Sequence, residues 1–242
     1  MSPKRWRAPR VAALVGAVAP GLLHGAALSP VQEPERYGMV VLRGADTLSL
    51  EQVIRTATEL RAGILVPGRA RLSVLAALGP GGCVTGAVVD VYPWGSGADA
   101  TPLQHVSVQR VGDSLAVEAR ARDVAQQVTR PLPGVEFVLA GDSYAASAMI
   151  VECGLSKGDS ATLHVAAFPG LRVEDFVVRR EEDRVTVSGA DTSRILLDSA
   201  GRPARIEVGG SDVVVHRVSF AQPGFLPSAG PDYAAPPGAS YR

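Results

Sequence analysis

The strongest constraint on how this chain can fold is its repeated two-residue alternation, broken at short intervals by turn residues. Leu115, Val117, Ala119 and Ala121 fall on one side of an extended segment, and Ala116, Glu118, Arg120 and Arg122 on the other. Gly112-Asp113 turns that segment back on His105–Val111. Successive side chains of a strand point to opposite faces, so this pattern requires half-buried strands joined by hairpins. Tyr37–Arg43 is extended and turned by Gly44-Ala45-Asp46-Thr47, with Leu48, Leu50, Val53 and Ile54 continuing on the return. Leu72, Val74, Ala76 and Leu78 share a face, Gly79-Pro80-Gly81-Gly82 breaks the run, and Cys83–Tyr92 comes back. The second half repeats the habit at Val173–Val178, Arg184–Ser188, Ile195–Leu197, Ala204–Val208 and Val213–Phe220.

The expectation is a mainly β fold, an antiparallel meander of roughly ten to twelve strands. Such a meander must curl into a half-barrel or sandwich to hide its edges. It falls into two halves, 35–130 and 158–220, joined over 131–157 by Pro131-Leu132-Pro133-Gly134 and one helix. The segment from Asp142 to Cys153 places Ala145, Ala148, Met149 and Val151 at helical spacing. Asp142 or Ser143 is its expected cap and Gly154 its end, with the helix covering the open face of the sheet.

Both termini differ in kind. Lys4, Arg5, Arg7 and Arg10 precede the apolar run Val11–Leu23, and small residues Gly25-Ala26-Ala27 follow. Basic, apolar and small in that order read as a signal peptide over 1–27, and export to the periplasm or medium is expected. The apolar run contains Pro20 and falls short of the roughly 20 residues a membrane span needs. Residues 221–242 carry five prolines among Gly, Ala and Ser, a flexible linker composition that invites a following or docking segment.

Charge and residue counts exclude several functions. The 242 residues hold 24 basic and 24 acidic side chains, and removing 1–27 leaves a formal charge of −4, so no basic footprint for nucleic acid exists. Two cysteines cannot form a disulfide scaffold or a thiolate zinc site. Cys83 and Cys153 either pair in an oxidising compartment or stand as two buried thiols.

The candidate catalytic residue is Ser143. Gly141-Asp142-Ser143 follows the extended Val135–Ala140 and precedes the helix, in the order of a nucleophile elbow. It is similar to the first block of the esterases that open with Gly-Asp-Ser. That family uses an Asn in its oxyanion hole, and this chain contains none; Asp212 and His216 have the wrong spacing for its Asp and His. The expected role of the Asp-Ser pair is therefore capping. His105, His164 and His216 are isolated in strands, so no metal site is expected. Asp90, Asp99, Asp191 and Asp198 are too scattered for a calcium loop, and no Gly-rich loop carries a phosphate-binding Lys, so no cofactor is expected. Arg179–Arg184 reads as a solvated hairpin tip. Tyr92 and Trp94, beside Pro93 and Gly95, either line a ligand mouth or close a strand end.

Two resemblances extend this reading. The run Glu35–Thr47 (ERYGMVVLRGADT), followed by hairpins and a central helix, resembles the β-rich N-terminal region of exported bacterial α/β-hydrolases of the prolyl-oligopeptidase/esterase kind. The tail Pro231–Tyr241 is similar to the connector leading into their hydrolase domain, which implies an accessory domain with no catalytic residue of its own. The architecture also resembles the half-barrel lipoprotein carriers of the bacterial envelope, although no lipid-accepting Cys follows the apolar run. The expected function is an exported, non-catalytic binding or scaffolding module, serving a hydrolase domain. Its rivals are a carrier of a hydrophobic or lipid molecule and a serine esterase using Ser143.

Overall fold

The computed structural model describes residues 33–97, 99–121, 124–139, 143–167 and 172–219. The expected signal peptide 1–27, the tail 221–242 and Gly141-Asp142 of the candidate elbow lie outside them.

The first arm runs β1 (Glu35–Arg43), β2 (Asp46–Arg55), β3 (Glu59–Val66), β4 (Ala70–Leu78), β5 (Val84–Pro93), β6 (Gln104–Val111), β7 (Ser114–Ala121) and β8 (Val124–Pro131). Then come β9 (Phe137–Leu139) and the helix α1 (Tyr144–Leu155). The second arm runs β10 (Ser160–Ala167), β11 (Arg172–Glu181), β12 (Arg184–Ser188), β13 (Thr192–Leu197), β14 (Pro203–Glu207) and β15 (Val213–Val218). All fifteen strands form one open sheet in the order β8 to β1, then β15 to β9.

The chain thus starts in the middle of the sheet and walks outwards to β8. It crosses to the far edge at β9 and walks back until β15 pairs with β1. That closing pair makes the two halves arms of one sheet rather than the layers of a sandwich. The β9–β10 pair is parallel, so the sheet is mixed rather than purely antiparallel. The count exceeds ten to twelve because Glu59–Val66, Val124–Pro131 and Ser160–Ala167 are strands as well. In Val124–Pro131 every residue is exposed, so no buried row marks it.

The sheet bends around α1, bringing the β9 edge beside β5. Tyr37, Met39, Val53, Val74, Leu163, Val178 and Val215 from both arms meet Met149 and Val151 of the helix in one core. A small second cluster of Val40, Leu50 and Leu65 lies on the outer face. Helix α1 is buried on nearly all sides, including Ala145, Ala148, Met149, Ile150, Val151 and Cys153, as an all-round apolar sequence requires. It runs past Gly154 to Leu155, so that glycine is not the stop signal it resembled. Gly154 is instead a contact residue, because a Cβ there would lie 2.6 Å from Val178 Cβ. A disulfide joins Cys83, just before β5, to Cys153 on the helix. Beside it Gly81 has φ +67°, and a Cβ would lie 2.1 Å from Ser156 Oγ, so the turn packs backbone against the helix end.

Candidate functional site

A β-bulge creates the centre of the inner face. Val41 pairs with Ser49 but Leu42 pairs with Thr47, so Leu48 is the extra residue of β2. The bulge lets Leu48 pack on the main core and still turns Ser49, Glu51 and Val53 inwards. Leu50 goes to the outer cluster, not to the inner face with Leu48 as strict alternation suggests.

Glu51 is fully buried between Met39 of β1 and Ile64 of β3. Its Oε1 accepts the Tyr144 backbone N–H at 2.7 Å. Its Oε2 accepts the Ala145 N–H at 3.0 Å and the Ser143 hydroxyl at 3.2 Å. The first N–H groups of a helix have no partner within it, and its N-terminus carries partial positive charge. The carboxyl therefore closes the helix start from a strand more than ninety residues away. Burial pushes Glu51 up to about 7, against the downward pull of the two N–H groups and the hydroxyl. Sequence reasoning passed over this acid; the one signal was a carboxylate in register with the inward Val53.

Ser143 is the N-cap: its Oγ accepts the Ala146 N–H at 3.1 Å while donating to Glu51. Its backbone carbonyl accepts the Ser147 hydroxyl at 2.8 Å. His105, His164 and His216 are on the outer face of the sheet, away from Ser143. Two of them are not isolated: His105 Nδ1 is 2.7 Å from Asp90 Oδ1, and His164 Nδ1 is 2.6 Å from Asp175 Oδ1. Alternation along one strand does not reveal such cross-strand pairs. Among the described residues no three His, Cys, Asp or Glu side chains are grouped to hold a metal.

Next to the helix start lies a cavity of about 870 Å³. Val41, Leu48, Val66, Leu72, Val91 and Leu139 give it apolar walls. Ser143, Tyr144 and Ser147 of the helix start also line it, with Arg43, Arg69 and Gln104. No carboxylate is among the described lining residues. Arg43 is 3.0 Å from Asp212, and Arg69 forms no ion pair among the described residues. Tyr92 and Trp94 are not on this cavity. Tyr92 is buried on the outer face with the Arg71 guanidinium 4.5 Å from its ring centre, and Trp94 is 47% exposed just beyond β5.

The other end of the helix is closed by ion pairs. Arg55 holds Glu152 through both nitrogens, one at 2.6 Å. Glu35 accepts from Arg202 and from Arg217, whose guanidinium lies 3.7 Å from the Tyr37 ring centre. Burial raises the Tyr37 phenol well above its ordinary range. Asp198 also pairs with Arg202 at 2.9 Å, so three cations meet three anions, and the cluster acts as a latch joining β1, β2, β15 and α1.

No protein-family model matches the chain, and no curated protein matches it. Among solved structures, a DUF1089 family protein from Pseudomonas aeruginosa is similar, with a TM-score of 0.49 and 14% identity over 69% of this chain and 92% of that one. A likeness of that size carries no functional weight.

Proposed function

We propose that this chain is an exported, non-catalytic binding module whose inner cavity takes a small amphipathic molecule. The observation that carries the reading is the cavity itself. Its volume falls in the range of small-molecule sites, roughly 300–1,000 Å³, and its lining joins apolar strand side chains to polar ones from the helix start and from Arg43, Arg69 and Gln104. A chain or ring lies against Leu72, Val91 and Leu139, and a hydroxylated or anionic head faces Ser147, Gln104 and Arg69. The basic, apolar and small order of residues 1–27 supports export, and a disulfide suits an oxidising compartment. Ser143 is a capping residue in this reading, since its hydroxyl is held by Glu51 and the Ala146 N–H. Service to an envelope hydrolase is a narrower form of the same proposal, resting on the resemblance of 35–47 and the tail.

Native mass spectrometry of gently purified protein and titration with 11-(dansylamino)undecanoate test the reading. Saturable enhancement of dansyl fluorescence is expected, and Ala70→Trp, which fills the cavity, should weaken it at least tenfold. No saturable binding by the wild type, or equal binding by a folded Ala70→Trp, refutes it. Turnover of a short-chain ester that is lost in Ser143→Ala would restore the esterase.

A further inference from the structure

The outer face of β11–β14 carries a second hollow, of about 370 Å³, unrelated to the inner cavity. Cross-strand register places its side chains in two adjacent rows. Arg179, Thr186, Arg194 and Glu207 form one row from β11 to β14. Glu181, Arg184, Leu196 and Arg205 form the other. Four arginines therefore surround a centre made of Thr186 and Leu196, and the two glutamates are at opposite corners.

Several arginines elsewhere are matched to acids: Arg43 with Asp212, Arg55 with Glu152, Arg120 with Glu118, Arg202 with Asp198 and Glu35. Here only Arg205 is, with Glu207 at 3.2 Å. Arg179, Arg184 and Arg194 form no ion pair with the described residues, and all three are exposed. No arginine lies directly opposite another: Arg184 faces Glu181 and Arg194 faces Glu207, and the four arginines are diagonal neighbours across adjacent strands, within reach of one another as long side chains. Leu196 is 40% exposed in their midst. Strands are about 4.8 Å apart, which puts Arg179 and Arg194 roughly 10 Å apart with Arg184 diagonal to both. Guanidinium is weakly hydrated and grips phosphate or sulfate with two parallel hydrogen bonds.

We propose that Arg179, Arg184, Arg194 and Arg205 form a binding site for a ligand bearing two or more phosphate or sulfate groups. A single oxyanion reaches one or two of these guanidinia. A ligand with charged groups roughly 5–10 Å apart spans the strand spacing and engages three, with the Thr186 hydroxyl as an additional donor. The arginines that looked like a solvated hairpin tip are one side of this array; the rest arrives from β13 and β14, far along the sequence.

The probe is inorganic tripolyphosphate, titrated calorimetrically into the full chain at low salt, with orthophosphate in parallel. The expected result is saturable tripolyphosphate binding at least tenfold tighter than orthophosphate. Arg184→Gln with Arg194→Gln should weaken it at least tenfold. Arg110→Gln with Arg130→Gln, the same charge change on β6 and β8, should alter it less than twofold. Arg184→Lys with Arg194→Lys keeps the charge and loses the paired geometry, and at least a threefold loss is expected. Phenylglyoxal labelling of the wild type gives an answer without mutation: tripolyphosphate should protect Arg184 and Arg194 and leave Arg110 and Arg130 reactive. The proposal is overturned by absent binding, by orthophosphate binding as tightly, by equal losses in both glutamine pairs, by no loss in the lysine pair, or by unprotected Arg184 and Arg194.

Discussion

Glu51 makes the stability of this protein depend on pH in an unusual direction. A carboxyl raised from 4.5 to about 7 in the folded state keeps a proton that the unfolded chain has already released. Between those values the native state binds more protons than the unfolded state, so unfolding free energy falls as pH rises. The contribution is fully present below pH 4.5 and gone above pH 7. Integrated from pH 5 to pH 8, it amounts to about 2.5 kcal/mol lost. Because Glu51 is fully buried, solvent screening does not reduce this figure.

Glu51→Gln removes the titration and keeps the shape. At pH 5 the protonated acid can still both donate and accept, whereas the amide nitrogen of Gln only donates, so the Ala145 N–H loses its acceptor. That loss costs about 1–2 kcal/mol, and the wild type should be the more stable protein. At pH 8 the wild type carries a buried carboxylate and the variant does not, so the order should invert by about 1 kcal/mol. Urea unfolding at both pH values, with the disulfide intact, measures this. The His105–Asp90 and His164–Asp175 pairs are common to both proteins and cancel in the difference. Parallel pH profiles for the two proteins would refute the reasoning, as would a wild type still more stable than the variant at pH 8.

Two further perturbations follow from the same contacts. The Cys83–Cys153 bridge closes a loop with a sequence separation of 70. Chain entropy then predicts that Cys83→Ala with Cys153→Ala costs about 4 kcal/mol, and a urea midpoint shift worth less than ~1 kcal/mol would refute this account of the crosslink. Gly154→Ala gains helix propensity of about 1 kcal/mol, but its new methyl meets Val178 at 2.6 Å. Overpacking typically costs about 1–3 kcal/mol, so the melting temperature should fall; an unchanged or higher value means the helix can shift away from β11 freely.

What the sequence revealed divides along a physical line. Hairpins are local: Gly112-Asp113 and the alternation of β7 identify their pair because register follows from one turn and one period. The union of β1 with β15 joins segments some 170 residues apart, and nothing within either strand specifies its partner. The inner face of β2 was hidden for a related reason. Leu48 and Glu51 are three residues apart, which strict alternation assigns to opposite faces, and only the bulge at Leu48 brings both inside. Without the bulge, Leu48 and Leu50 make a persuasive inner row and Glu51 is an ordinary exposed acid.

Burying that acid is tolerable only because a second, distant element meets it. An unpaired buried carboxylate is costly, and a buried helix start leaves N–H groups without acceptors. Each element alone has a defect, and the two defects cancel where β2 meets α1. Single-segment patterns read each correctly as a strand and a capped helix, with the cap left between Asp142 and Ser143. They cannot show that the cap is shared with Glu51 or that the cavity opens beside it. The arginine array on β11–β14 is legible to the same partial extent. Arg179 and Arg184 flank one visible hairpin, while Arg194 and Arg205 reach them only through two further strand pairings. Chemistry assembled across strands is thus decided by register, and register beyond the nearest hairpin is set by the whole sheet.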